Sequence, residues 1–151
     1  MPQRLVKITK RKLLIGEGLE EVRFFKAFLK HLGIDTIQTE QYGGKDKLAA
    51  FLKTIPSIPG FERLESLGVT RDADTSPAAA RQSVEASLQR ADLPMPSAAD
   101  LPHGGLSKVS VFIMPDDQGP GMLEDLCLKS VESDRVRPSR ELCGRVPRVR
   151  V

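Results

Sequence analysis

Carboxylates recur in this chain where short apolar runs stop. Glu17 stands between the two glycines of "KLLIGEG" and Glu21 stands four residues later; Asp72 and Asp74 are separated by one residue in "LGVTRDADTSP"; Asp116 and Asp117 follow "KVSVFIMP", with Glu124 and Asp125 behind them. A four-residue spacing puts Glu17 and Glu21 on the same face if a helix starts there, and a two-residue spacing puts Asp72 and Asp74 on one side if the backbone stays extended. Carboxylates brought within a few ångströms of one another repel unless a cation sits between them or some are protonated. Ligation by oxygen alone points to Mg²⁺ or Mn²⁺ rather than zinc. Each element also has a plainer reading. An isolated Asp-x-Asp before a helix is most often a cap and a turn, because aspartate bonds readily to free backbone N–H groups. Glu20 and Glu21 could simply favour the positive end of a helix dipole. The combination is more specific than its parts, and it favours a metal site.

To bring these residues together the chain needs strands that end at them. "KLLIGEG" (12–18) has the form of a buried strand ending in a tight turn. In the following "LEEVRFFKAFLKHLG", Val22, Phe25, Leu29 and Leu32 fall on one helical face, and Gly33 is placed to end the helix. A second strand is expected in "IDTIQTEQ" (34–41). A second helix is expected in "GGKDKLAAFLKTI", with Leu48, Phe51, Leu52 and Ile55 as its stripe, closed by the prolines of "PSIPG". "RLESLGVTRDAD" is the third strand and runs to the carboxylates. Ser76 as N-cap and Pro77 as first helical residue begin a helix that buries Ala80, Val84, Leu88 and Ala91. After a loop at 92–105 come a fourth strand, "KVSVFIMP" (108–115), and a short helix in "MLEDLCLKSV". This alternation predicts an α/β fold, a four-stranded, mainly parallel sheet with helices on both faces. The C-terminal strand ends then share one edge, where functional groups gather.

Composition sets the outer limits. The 151 residues, 40% of them apolar, suit one domain with a real core. No apolar run approaches the roughly 18 to 20 residues of a membrane span, and the N-terminus lacks the pattern of a signal peptide, so a cytoplasmic protein is expected. Cys127 and Cys143 have no metal-binding spacing, and Cys127 reads as a core residue. His31 and His103 have no partners at catalytic spacing. The net charge of +3 is uneven: residues 135–151 hold six arginines against Glu141, leaving 17 basic and 19 acidic residues in 1–134. The domain is therefore expected to be 1–134, with 135–151 a basic, irregular tail. A terminus of this kind is more readily read as an appendage than as an arm gripping phosphate.

"LLIGEGLEEVRFF" followed by "GVTRDADTS" resembles the TOPRIM domain, whose pattern is a strand ending in Glu-Gly with an acid four residues after the Glu, then a strand ending in Asp-x-Asp. "GGKDKLAAFL", "DADTSPAAARQSVEASL", "VFIMPDD" and "GMLEDLCL" resemble the DUF3226 family of uncharacterised prokaryotic TOPRIM-like proteins, over roughly residues 11 to 130. The resemblance implies a Rossmann-like TOPRIM fold with a Mg²⁺ or Mn²⁺ site, in which Glu17 matches the invariant glutamate, Glu21 the second acid, and Asp72 and Asp74 the Asp-x-Asp pair. It implies metal-assisted hydrolysis of phosphodiesters in DNA or RNA by these four residues. The alternative is a non-catalytic module that binds metal and a nucleotide or nucleic acid, working with an ATPase partner as domains of the overcoming-lysogenization-defect type do. Homo-oligomerisation stays open. Ser76 stands where topoisomerases often carry a third aspartate, and the only tyrosine is Tyr42, which counts against strand passage. Family members continue past "LEDLCL" with helical sequence whereas arginine-rich sequence follows here, which raises the hypothesis of a shortened or frame-altered C-terminus. Arg71 and Lys45 are weak candidates for phosphate contacts and read more readily as solvated surface charges.

Overall fold

The computed structural model of the chain describes residues 7–96, 106–116 and 119–130. Most of the 92–105 loop, Asp117, His103, Cys143 and the whole 135–151 stretch lie outside the described residues.

Strands β1 (Lys12–Gly16), β2 (Ile37–Gln41), β3 (Ser66–Asp72) and β4 (Lys108–Met114) alternate with helices α1 (Leu19–His31), α2 (Leu48–Thr54), α3 (Pro77–Arg90) and α4 (Leu123–Ser130). The strands form one sheet in the order β2-β1-β3-β4, and every pairing is parallel. The fold is α/β with a Rossmann-like arrangement, as the strand–helix alternation predicts. β1 and β2 are joined through α1, after which the chain crosses back through α2 to β3 on the other side of β1. Since parallel crossovers are right-handed, this reversal puts α1 on one face of the sheet and α2 and α3 on the other. Accordingly, α2 packs against α3, while α1 packs on β1 and β2.

The period-two pattern of the strands decides where the core sits. Leu13 and Ile15 of β1 stand in register with Leu67 and Val69 of β3, and Leu67 with Val109 of β4. These side chains are buried together with Leu48, Leu52 and Ile55 of α2 and Ala80, Val84 and Leu88 of α3. The opposite face is more open among the described residues: Phe112 of β4 is 37% exposed and Phe28 of α1 is 41% exposed. Cys127 is buried, in keeping with its reading as a core residue. No helix among the described residues is long and apolar enough to cross a membrane.

Local signals end the elements where the sequence places them. Gly33 takes a positive φ of 71° just beyond α1, and the Ser76 hydroxyl accepts the Ala79 N–H at 3.2 Å, capping α3 ahead of Pro77. The third strand, however, is shorter than "RLESLGVTRDAD" suggests. It starts at Ser66 and stops at Asp72. Asp74 turns into the left-handed region with φ 52°, and its N–H and C=O each bond to Gly121 at 2.8 Å in an isolated antiparallel bridge. Aspartate tolerates that region better than most residues do. Asp72 and Asp74 thus do not extend together from one strand.

Candidate metal centre

The C-terminal ends of β1 and β3 lie side by side where the chain reverses its direction across the sheet. That junction is the crevice in which open α/β sheets place their ligands. Glu17 is the first residue after β1. Asp72 is the last of β3, and Glu21 lies in the first turn of α1. One carboxylate oxygen from each of Glu17, Glu21 and Asp72 lies within 4.8 Å of the other two.

Backbone contacts fix all three. Glu21 Oε2 accepts the Gly18 N–H at 2.9 Å, which makes it the acidic half of a capping box; Gly18, the N-cap, has no side chain to return the bond. Asp72 Oδ1 accepts the Leu123 N–H at 3.0 Å and so caps α4. Glu17 is held through its own backbone, whose carbonyl accepts the Gly43 and Gly44 N–H groups at 3.1 and 2.8 Å. Gly16 makes the approach of α1 to the strand end feasible, because a Cβ there would stand 2.8 Å from the Cβ of Glu21.

This packing perturbs the acids. Burial, then the charges of Glu21 and Glu17, push the Asp72 carboxyl up to about 7, against the opposing Leu123 N–H. Glu17 is likewise raised, by burial first and then by Glu21 and Asp74, while Arg71 and the Asp72 N–H oppose the shift. The fold therefore holds the Glu17 and Asp72 carboxyls beside Glu21 at a cost to the ionised forms of Glu17 and Asp72, and a divalent cation in the group would remove that cost. Bonds of about 2.1 Å to Mg²⁺ put opposite ligands about 4 Å apart, so oxygens spaced like these fit such an ion directly or through a bound water.

The other acids are placed differently. Asp74 is outside the three-oxygen group: its Oδ2 is 3.8 Å from Lys45 Nζ, although its charge still acts on Glu17 and Asp72. Asp116 accepts the Gly119 N–H and Asp125 the Met122 N–H, both at 2.9 Å, so each serves a local turn or helix start. Glu124 is exposed. Tyr42 is buried; its hydroxyl donates to the Thr70 carbonyl at 2.8 Å, and burial raises its pKa strongly. A phenol so engaged cannot serve as a nucleophile without being pulled from the core.

Two residues read as surface charges turn out to border the site. Lys45 pairs with Asp74, and Nε of Arg71 is buried with no hydrogen-bond partner among the described residues. The available signal for Lys45 was the double glycine immediately ahead of it at the end of a strand, which marks a loop held close to other backbone.

The family model described as "Protein of unknown function (DUF3226)" matches residues 11–143, and the chain belongs to that family. The match runs past 134, into the arginine-rich stretch. No curated protein and no solved structure matches the chain.

Proposed function

We propose that this member of the DUF3226 family is a metal-dependent, phosphodiester-processing protein of the TOPRIM type, a nuclease acting on DNA or RNA. The observation that carries the reading is the convergence of Glu17, Glu21 and Asp72 at the β1–β3 junction. These are three of the four positions at which the sequence resembles the TOPRIM acidic pattern. Glu17 and Asp72 would hold Mg²⁺ or Mn²⁺, with Glu21 binding directly or through water and Asp74 adding negative charge at the border. The bound ion would polarise a phosphoryl oxygen and stabilise the leaving oxygen. Glu21, fixed by its bond to Gly18, has one carboxylate oxygen left to orient a water or take its proton.

A second reading is supported by the same hydrogen bonds. The Glu21 and Asp72 carboxylates each accept a backbone N–H, so each of these two has a structural role that requires no chemistry. On that reading the protein binds metal and nucleic acid without cleaving it, as the partner of an ATPase. Labelled single-stranded DNA, duplex DNA and transfer RNA, incubated with the purified protein and Mg²⁺ or Mn²⁺, separate the two. Cleavage that needs metal and disappears in Glu17→Ala supports the nuclease. Metal-dependent binding with no cleavage supports the module, and neither cleavage nor binding refutes both.

A further inference from the structure

Beside the acidic triangle the strand-end edge carries two cations whose placement stability does not explain. Lys45 follows Gly43 and Gly44, and the N–H groups of both glycines donate to the carbonyl oxygen of Glu17, at 3.1 and 2.8 Å. Gly44 has φ 118°, a backbone shape that side chains rarely adopt. The loop that presents Lys45 is thus fastened to the backbone of the residue whose side chain enters the acidic group. The partner found for Lys45 is a loose one: Nζ is 3.8 Å from Asp74 Oδ2, and the two side chains are 53% and 44% exposed. An exposed pair at that distance contributes little to stability. Arg71 immediately precedes Asp72 in β3 and acts electrostatically on both Glu17 and Tyr42. Its Nε is shielded from solvent with no acceptor among the described residues, an unusual state for a charged donor.

We propose that Lys45 and Arg71 form the anion-binding half of this site, gripping a substrate phosphate against the flank of the carboxylate triangle. The inference rests on the phosphodiester reading above and assigns the residues that would recognise the substrate. A phosphate entering a group of acids is repelled. A lysine tethered to Glu17 and an arginine adjoining Asp72 offset that repulsion where the ester must lie. Asp74 then acts as a placeholder for Lys45, releasing it to a stronger, doubly hydrogen-bonding anion.

The test separates this inference from the metal reading by measuring the two halves independently. Mn²⁺ binding is titrated by electron paramagnetic resonance without nucleic acid. Binding of labelled oligothymidylate and oligouridylate is measured in Ca²⁺ across a salt series. Lys45→Ala should bind whichever oligomer the wild type prefers about tenfold more weakly, with the slope of log affinity against log salt reduced by about 0.7, one single-strand phosphate contact. Its Mn²⁺ affinity should be unchanged or higher. Lys45→Arg should restore the slope, and Arg71→Gln should weaken the oligomer as Lys45→Ala does. The proposal is overturned if the wild type binds neither oligomer, or if Lys45→Ala keeps wild-type affinity within twofold and an unchanged slope. Because Lys45 is exposed, its variants test the idea even if Arg71→Gln does not fold. A wild type that binds oligomer through Lys45 but takes up no Mn²⁺ supports the anion half and refutes the metal half.

Discussion

Replacing Asp72 by Asn should stabilise the metal-free protein at alkaline pH, and the structure fixes both sign and size. Asn keeps an acceptor oxygen for the Leu123 N–H while removing the charge that Glu21 and Glu17 oppose. A carboxyl titrating at about 7 in the folded protein and near 3.9 in the unfolded chain binds more protons when folded between those values. Native stability is therefore lost as pH rises from about 4 through 7, and it stays low above that. The full difference would correspond to about 4 kcal/mol. Asp72 is only half-buried, and solvent screening reduces this to about 1–2 kcal/mol. For a chain of this length that is about 3 to 6 °C in melting temperature.

Melting curves in chelator should thus show Asp72→Asn level with wild type near pH 4.5 and higher by that margin at pH 8. With the ion at about ten times its dissociation constant, wild type should gain about 1.4 kcal/mol by mass action and the variant much less. Asp72→Ala loses the helix-capping acceptor as well, and should fall about 1 kcal/mol below the Asn variant. If Asn melts lower than wild type at pH 8 in chelator, and wild type shows no response to Mg²⁺ or Mn²⁺, then Asp72 is a charged cap and the metal reading fails.

Gly16→Ala, whose new Cβ would collide with Glu21, should cost about 1–3 kcal/mol in urea unfolding and weaken Mn²⁺ binding about tenfold; unchanged Mn²⁺ affinity would show that Glu21 is dispensable to the site. Tyr42→Phe should lose about 1 kcal/mol with its buried hydrogen bond and leave any nucleolytic rate intact. Loss of cleavage in a folded Tyr42→Phe protein would overturn the exclusion of this tyrosine as nucleophile. Calorimetry should show weak Mg²⁺ and Mn²⁺ binding in the absence of phosphate, since an all-carboxylate site leaves several waters on the ion; tight, stoichiometric zinc binding would refute the oxygen-ligand assignment.

Much of the architecture was legible because its signals are local. Ser76 followed by Pro77 is a helix start wherever it occurs, Gly33 permits a left-handed residue that ends a helix, and apolar positions at three- and four-residue spacing on α2 and α3 allow only one face to be buried. Glu17 and Asp72 could be named as strand-end residues for the same reason, and Glu21 from its four-residue spacing. Those signals do not say which strand ends are neighbours. That depends on the order β2-β1-β3-β4, which puts β1 beside β3 and makes their ends one crevice.

The misread residues depend on contacts between distant segments. An extended backbone through both residues would pair Asp74 with Asp72 on one side of the strand. In the fold, Gly121 bonds to its backbone from across the edge and turns it toward Lys45. The Asp72 carboxylate has a capping role that appears only when Leu123, 51 residues later, reaches it. Gly16 resembles an ordinary turn glycine until Glu21 occupies the space that its missing side chain leaves. Sequence alone determined the elements, because backbone sterics and side-chain periodicity act over a few residues. Only the tertiary structure decided which charges face one another, because electrostatic interactions depend on distances through space that the chain's order does not contain.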